Sequence, residues 1–224
     1  MLGASLAAAT VAVGCGGTGG ERSEPAEAVV AIGATGCRRT STRAVGVVVA
    51  DELLATVAHA VAGETEIKVL TPDGRELRGE VAAIDTALDA AVIRVDGLDL
   101  AALPRHSYAE GDDDDDDDAA TLWTTADGVA RAVPVEIRRR VTIRTSDIYR
   151  DGEHLRPGLE LRADVEAGDS GGGLVGADGE LLGLVWATSR ERDGRAWAMP
   201  IEALDPLLAA ATAEDPVPAA RCAR

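Results

Sequence analysis

Residues 165–185 read VEAGDSGGGLVGADGELLGLV, with five glycines inside the nine positions 168–176 around a lone hydroxyl, Ser170. Glycine weakens a strand interior, so a cluster this dense needs a reason. The flanks are apolar and short, and the ADG at 177–179 is a hairpin signal, so the segment reads as turn, strand, turn, strand. A serine on a tight glycine turn fits acyl transfer. That chemistry needs a nucleophilic hydroxyl and two backbone N–H donors aimed at a developing oxyanion. The N–H groups of Gly168 and Ser170 are the candidate pair. Such a turn also keeps side chains out of a substrate's path.

A serine nucleophile requires a base, and three histidines are available. His59 sits in LLATVAHAV, at the end of an apolar strand and between small residues that leave room for an imidazole at a cleft. His106 (PRHSY) and His154 (GEHLR) lie in polar, loop-like surroundings and read as surface residues. The base in turn needs a buried carboxylate to orient it. DTALDAAVIRV, 85–95, offers two. Asp89 abuts the apolar strand 90–95 and is placed for burial, whereas Asp85 suits a turn cap. The candidate set in chain order is His59, Asp89 and Ser170.

Outward from these residues the chain is a succession of short strands. AVGVVVA (44–50), TEIKVLTPDG (65–74), RELRGEVAAI (75–84) and AAVIRV (90–95) form a first group. A second follows an aspartate run: ATLWTT, VARAVPVEIRRRVTIR, GLELRADV, GGGLV, ELLGLVWATS and RAWAMPI. The pattern predicts an all-β domain of two sets of about six strands, as two antiparallel barrels or one large sandwich. A helix is expected over 201–213, IEALDPLLAAATA, provided Pro206 falls in its first turn. Aromatic residues are 2% of the chain and Phe is absent, so the core must be Val, Leu, Ile and Ala. The run Asp112–Asp118 is expected to be a solvated loop. It lacks the spaced ligands and turn glycine of a calcium loop, and no metal or cofactor is expected.

The formal charge of -17, with Lys68 the single lysine, argues against nucleic acid as a partner. LAAATVAVG precedes Cys15 and is too short to span a bilayer, but it suits the apolar core of an export signal over 1–14. AVGC resembles a lipobox, which makes Cys15 a candidate lipidation site and the cell membrane's outer face the expected location; the alternative is a secreted protein with an incidental cysteine. Ala12 in place of Leu and the lack of a preceding Lys or Arg depart from that pattern. Residues 15–33 read as a tether. Export permits disulfides, and Cys37 with Cys222 is the expected pair, closing nearly the whole domain as one loop.

TVAHAV, DTALDAAVIRV and GDSGG, in that order and spacing, resemble the trypsin/chymotrypsin-fold serine proteases. The nearest resemblance is to the HtrA-like bacterial trypsin-like peptidase domain of secreted actinobacterial type. The resemblance spans about 34–208. It implies a double barrel, the first over about 34–104 and the second over about 119–201, joined by the acidic loop 111–118 and followed by a tail, 209–224. It also implies His59 as general base, Asp89 as its orienting partner, Ser170 as nucleophile, and the N–H groups of Gly168 and Ser170 as oxyanion hole. Gly173 stands where Pro is common and Ala90 where Leu is common. Asp164, six residues before Ser170, occupies the offset of trypsin's acidic pocket base, with Trp186 and Ala187 as further candidate pocket residues. The implied partner is a peptide or protein substrate. An inactive protease-fold module that binds peptides is the alternative.

Overall fold

The computed structural model describes residues 24–106, 118–126, 128–189, 192–213, 217 and 220–223. The expected signal segment, Cys15 and most of the acidic run lie outside these residues.

Among the described residues, twelve strands close into two barrels. The first consists of β1 (Val29–Thr35), β2 (Thr42–Ala50), β3 (Leu53–Thr56), β4 (Glu66–Leu70), β5 (Glu76–Asp85) and β6 (Ala90–Arg94), in the spatial order β1-β2-β3-β6-β5-β4. The second consists of β7 (Asp118–Ala126), β8 (Val129–Thr145), β9 (His154–Arg162), β10 (Gly173–Val175), β11 (Leu181–Thr188) and β12 (Arg195–Pro200), in the order β10-β11-β12-β9-β8-β7. All neighbouring pairs are antiparallel. Closure removes the free edges these two sheets would otherwise present.

Burial patterns follow from what covers each strand. EIKVL in β4 alternates exposed and buried residues, with Ile67 and Val69 inward, as expected for a strand with one solvated face. In β2 the run 44–49 is buried throughout, because β2 faces the barrel interior on one side and the second barrel on the other. The core is aliphatic, with Ile32, Leu54, Ile93, Leu122, Leu159 and Leu174 among its largest fully buried side chains. Both turn signals hold. The PDG turn links β4 to β5 with Gly74 at φ +85°, and the ADG turn links β10 to β11 with Gly179 at φ +80°.

Two boundaries differ from the sequence reading. β1 begins at Val29, inside the stretch assigned to the tether. VVAIGAT carries no turn signal of its own, yet it supplies the strand that closes the first barrel by pairing with both β2 and β4. At the C-terminus a single 3-10 turn over Ile201–Leu204 precedes the helix α2 (Asp205–Thr212), with Pro206 in its first turn. The helix therefore runs past 208, and it packs back onto β5 and β6 of the first barrel, where Arg94 Nη2 donates to the Ala211 carbonyl at 2.8 Å. The following segment brings Cys222 to Cys37, and the two form a disulfide with Cα atoms 5.6 Å apart.

Candidate active site

The candidate residues lie along the seam where the barrels abut. His59 lies in the one-turn helix α1 (Ala58–Val61) that follows β3, and Asp89 immediately precedes β6. Because β3 and β6 are paired, with Thr56 opposite Ala91, the ends of both strands carry these residues to one place. His59 Nδ1 lies 2.8 Å from Asp89 Oδ2, and the His59 backbone N–H donates to Asp89 Oδ1 at 2.8 Å. Both carboxylate oxygens are thus engaged by one residue, which fixes the ring's orientation and directs Nε2 away from the aspartate. Asp89 is 5% exposed and adopts φ +66°, unusual for a residue with a side chain. The His59 side chain keeps 33% of its surface open. The loop before Asp89 is pinned by Asp85, whose Oδ1 accepts the Ala87 and Leu88 N–H groups at 2.9 and 2.8 Å, the capping role read from sequence.

Ser170 reaches the same seam from the second barrel, on the turn before β10. Its carbonyl accepts the Val45 N–H of β2 at 2.8 Å. The next residue, Gly171, has φ +88°. A Cβ there would fall 2.0 Å from the Val45 carbonyl oxygen and 2.7 Å from Thr56 Oγ1. Thr56 is three residues from His59 and itself donates to the Val45 carbonyl at 2.7 Å. The glycine is therefore required by contact with the first barrel's backbone, which brings the serine turn against the histidine's strand. Gly168 differs: no heavy atom lies within 4 Å of a Cβ placed there, and its requirement is the backbone angle, φ +106°. Among the described residues neither the Gly168 nor the Ser170 N–H donates to a protein acceptor, whereas the Gly171 and Gly172 N–H groups are bonded to Val185 and Asp169 carbonyls. The Ser170 hydroxyl makes no hydrogen bond to His59 in this structure.

Asp169 is 5% exposed, and its charge is met by several donors. Thr124 Oγ1 donates at 2.7 Å, the Glu166 N–H at 2.8 Å, and Arg131 Nη2 lies 2.9 and 2.8 Å from its two oxygens. These partners hold the 166–170 turn from β7 and β8. A cleft of about 420 Å³ borders Gly168, Asp169 and Arg131 and extends across the seam to Arg43, Lys68 and Glu76.

The remaining candidates are placed as follows. Trp186 and Ala187 are half-buried on β11. Asp164 is exposed, and it lines a shallow depression with Pro134, Glu136, Arg162 and Gly194, to which neither Trp186 nor Ala187 contributes. His106 pairs with Glu180 at 2.9 Å, remote from Asp89 in its contacts. Among the described residues no group of three or more His, Cys, Asp or Glu side chains is arranged to hold a metal ion. Sequence reasoning missed Arg131, Thr124, Thr56 and Arg156, all partners of the site. The one signal was that a buried Asp169 would need a cation, and nothing in the pattern picks one arginine from so many.

The pattern of the trypsin-like peptidase domain family matches residues 44–184. The serine protease Rv3671c of Mycobacterium tuberculosis is 31% identical over 145 residues, covering 64% of this chain and 36% of that protein. A probable periplasmic serine endoprotease of DegP-like type from Halomonas elongata is 30% identical over 163 residues, covering 68% and 31%. The chain thus spans about a third of the length of these curated relatives. Among solved structures, the active form of the Rv3671c protease superposes with a TM-score of 0.80 at 27% identity, covering 89% of this chain and 87% of that one. An inactive form of the same protease gives 0.70 at 25% identity, covering 83% and 89%. With three motifs on one seam of two closed barrels, the chain belongs to the family of trypsin-like peptidase domains.

Proposed function

We propose that this protein is an exported serine endopeptidase that hydrolyses peptide bonds through an acyl-enzyme intermediate. Ser170 attacks the scissile carbonyl. His59 takes the serine proton and returns it to the leaving amine, while Asp89 holds the ring's tautomer and balances the imidazolium. The Gly168 and Ser170 N–H groups receive the oxyanion. The observation that carries this reading is the double engagement of Asp89 by His59, on the strand that the Ser170 turn abuts. A merely structural histidine would not need a buried carboxylate bonded to both its ring and its backbone. The higher similarity to the active form of the mycobacterial relative, and the two N–H groups without acceptors, support the same reading against an inactive peptide-binding module.

Activity without a prior cut near the N-terminus is part of the proposal. In trypsin-like zymogens a newly freed amine pairs with the aspartate before the serine. Here Arg131 already occupies that role at Asp169. Lipidation of Cys15 and display on the outer face of the membrane follow from the sequence and remain part of the proposal. Among the described residues no helix is long and apolar enough to cross a membrane. The exposure of Asp164 lends no support to it as a buried specificity group, so enrichment for Arg or Lys at P1 is not expected. An esterase is disfavoured because the serine precedes a strand rather than a helix.

The test is labelling of the full chain with a serine-directed phosphonofluoridate, read by mass spectrometry beside peptide hydrolysis. Labelling at Ser170, with both signals lost in Ser170→Ala, is expected. Peptide binding with neither labelling nor hydrolysis would establish the inactive module instead.

A further inference from the structure

Arg156, on β9 of the second barrel, is 4% exposed, and the mechanism above makes no use of it. A guanidinium is rarely buried without purpose, because removing it from water is costly unless it is paired and fully hydrogen-bonded. Its Nε donates to the Ala87 carbonyl, in the first-barrel loop that leads into Asp89, and its Nη2 donates to the Ser146 carbonyl at 2.8 Å. Its Nη1 lies 3.9 Å from Asp89 Oδ2, the same oxygen that holds His59 Nδ1. The guanidinium carbon stands 5.0 Å from the centre of the Trp186 ring. One side chain therefore joins the second barrel to the Asp89 loop, a positive charge to the Asp89 oxygen that meets His59, and both to the ring of β11.

We propose that Arg156 is a positioning residue of the triad: it pins the Asp89 loop from the opposite barrel and keeps a permanent positive charge beside the carboxylate, extending activity toward acid pH. The proposal rests on the triad reading above. Uptake of a proton by His59 puts a second cation on a carboxylate that Arg156 already faces. The protonated, inactive state is thereby made less favourable at a given pH. Removing the arginine should make it more favourable. The other charged groups facing Arg156 are Asp85 at the end of β5 and Asp147 in the loop after β8. His154 and Arg156 together line a surface depression beside Asp85, and Arg38 reaches the His59 carbonyl from the loop after β1. Burial pushes the guanidinium below its ordinary range while Asp89, Asp85 and Asp147 hold it up, and a guanidinium stays charged under both influences.

The experiment measures kcat/KM against pH for the full chain and for Arg156→Met and Arg156→Lys, with a peptide substrate. In Arg156→Met the acid limb should move up by about half a unit to one unit, and the neutral-pH rate should fall about tenfold or more. In Arg156→Lys the limb should stay within about 0.2 units of wild type while the rate falls, because the charge survives and the fork of hydrogen bonds does not. A uniform loss across pH in Arg156→Met, with the limb unmoved, would reduce Arg156 to a packing role and overturn the proposal. An upward move in Arg156→Lys would do the same, and that arm stands alone if the methionine variant does not fold. An inactive wild type would instead point to failure of the triad reading.

Discussion

Substituting Gly171 by alanine tests how the barrels are joined. A methyl group there would sit 2.0 Å from the Val45 carbonyl oxygen and 2.7 Å from Thr56 Oγ1. Both neighbours are anchored in β2 and β3, so the obstruction is not the free end of a flexible side chain. Relief requires the carbonyl to retreat by about 1 Å or more, an overpacking change costing about 1–3 kcal/mol. It also strains two hydrogen bonds, Thr56 Oγ1 to the Val45 carbonyl at 2.7 Å and the Val45 N–H to the Ser170 carbonyl at 2.8 Å. Each contributes about 1 kcal/mol net. The φ of +88° adds about 1–2 kcal/mol for any residue with a Cβ. Since these terms overlap, the expected loss is about 3–5 kcal/mol, which for a domain of this size lowers Tm by about 6–20 °C. Calorimetry gives the stability and the phosphonofluoridate labelling rate gives the site. Gly168→Ala is the control. It meets no atom within 4 Å and carries only the backbone strain, so Tm should fall by a few degrees while the labelling rate drops sharply. A Gly171→Ala protein that melts within about 2 °C of wild type and labels at full rate would refute the close approach.

Three further outcomes are expected. Arg131→Met leaves the buried Asp169 without its cation; a loss of about 1–3 kcal/mol, discounted for the partial exposure of Arg131, should appear in urea unfolding together with slower labelling. The Cys37→Ser/Cys222→Ser double variant should lose about 2–5 kcal/mol, since the bridge closes most of the folded chain, and equal melting of reduced and oxidised wild type would contradict this. Burial pushes the Glu160 carboxyl up, but hydrogen bonds and charges from Arg139 and Arg195 outweigh it and hold it below its usual range. A depressed folded value stabilises above the ordinary carboxylate pKa and is lost as pH falls through the folded value. The stability gap between wild type and Glu160→Gln should therefore be open at pH 7 and close progressively below about pH 4.

Much of the site was legible because its chemistry demands particular residue types beside particular strands. His59 follows an apolar strand, Asp89 precedes one, and Asp85 had the position of a turn cap, which its bonds to Ala87 and Leu88 bear out as geometry. The reason for Gly171 was not legible. Its crowding comes from Val45, far away in sequence, and only the folded seam brings the two together. The same holds for Arg131 and Arg156, whose partners lie on other strands and loops. β1 escaped notice because VVAIGAT is small-residue-rich and continues directly from a polar tether. Four of its seven residues are β-branched and favour a strand, and its pairing with both β2 and β4 makes it part of the first barrel. The acidic offset of Asp164 did not tell exposed from buried, since spacing along the chain does not report exposure.

The central claim is that His59 and Asp89 from the first barrel act on Ser170 from the second. A crystal structure of the phosphonylated protein tests it most directly. The account predicts phosphorus on Ser170 Oγ, with the phosphonyl oxygen about 2.7–3.1 Å from the Gly168 and Ser170 nitrogens and His59 Nε2 within hydrogen-bond reach of the adduct. Modification of a different residue, or a phosphonyl oxygen turned to solvent with the imidazole out of reach, would contradict it.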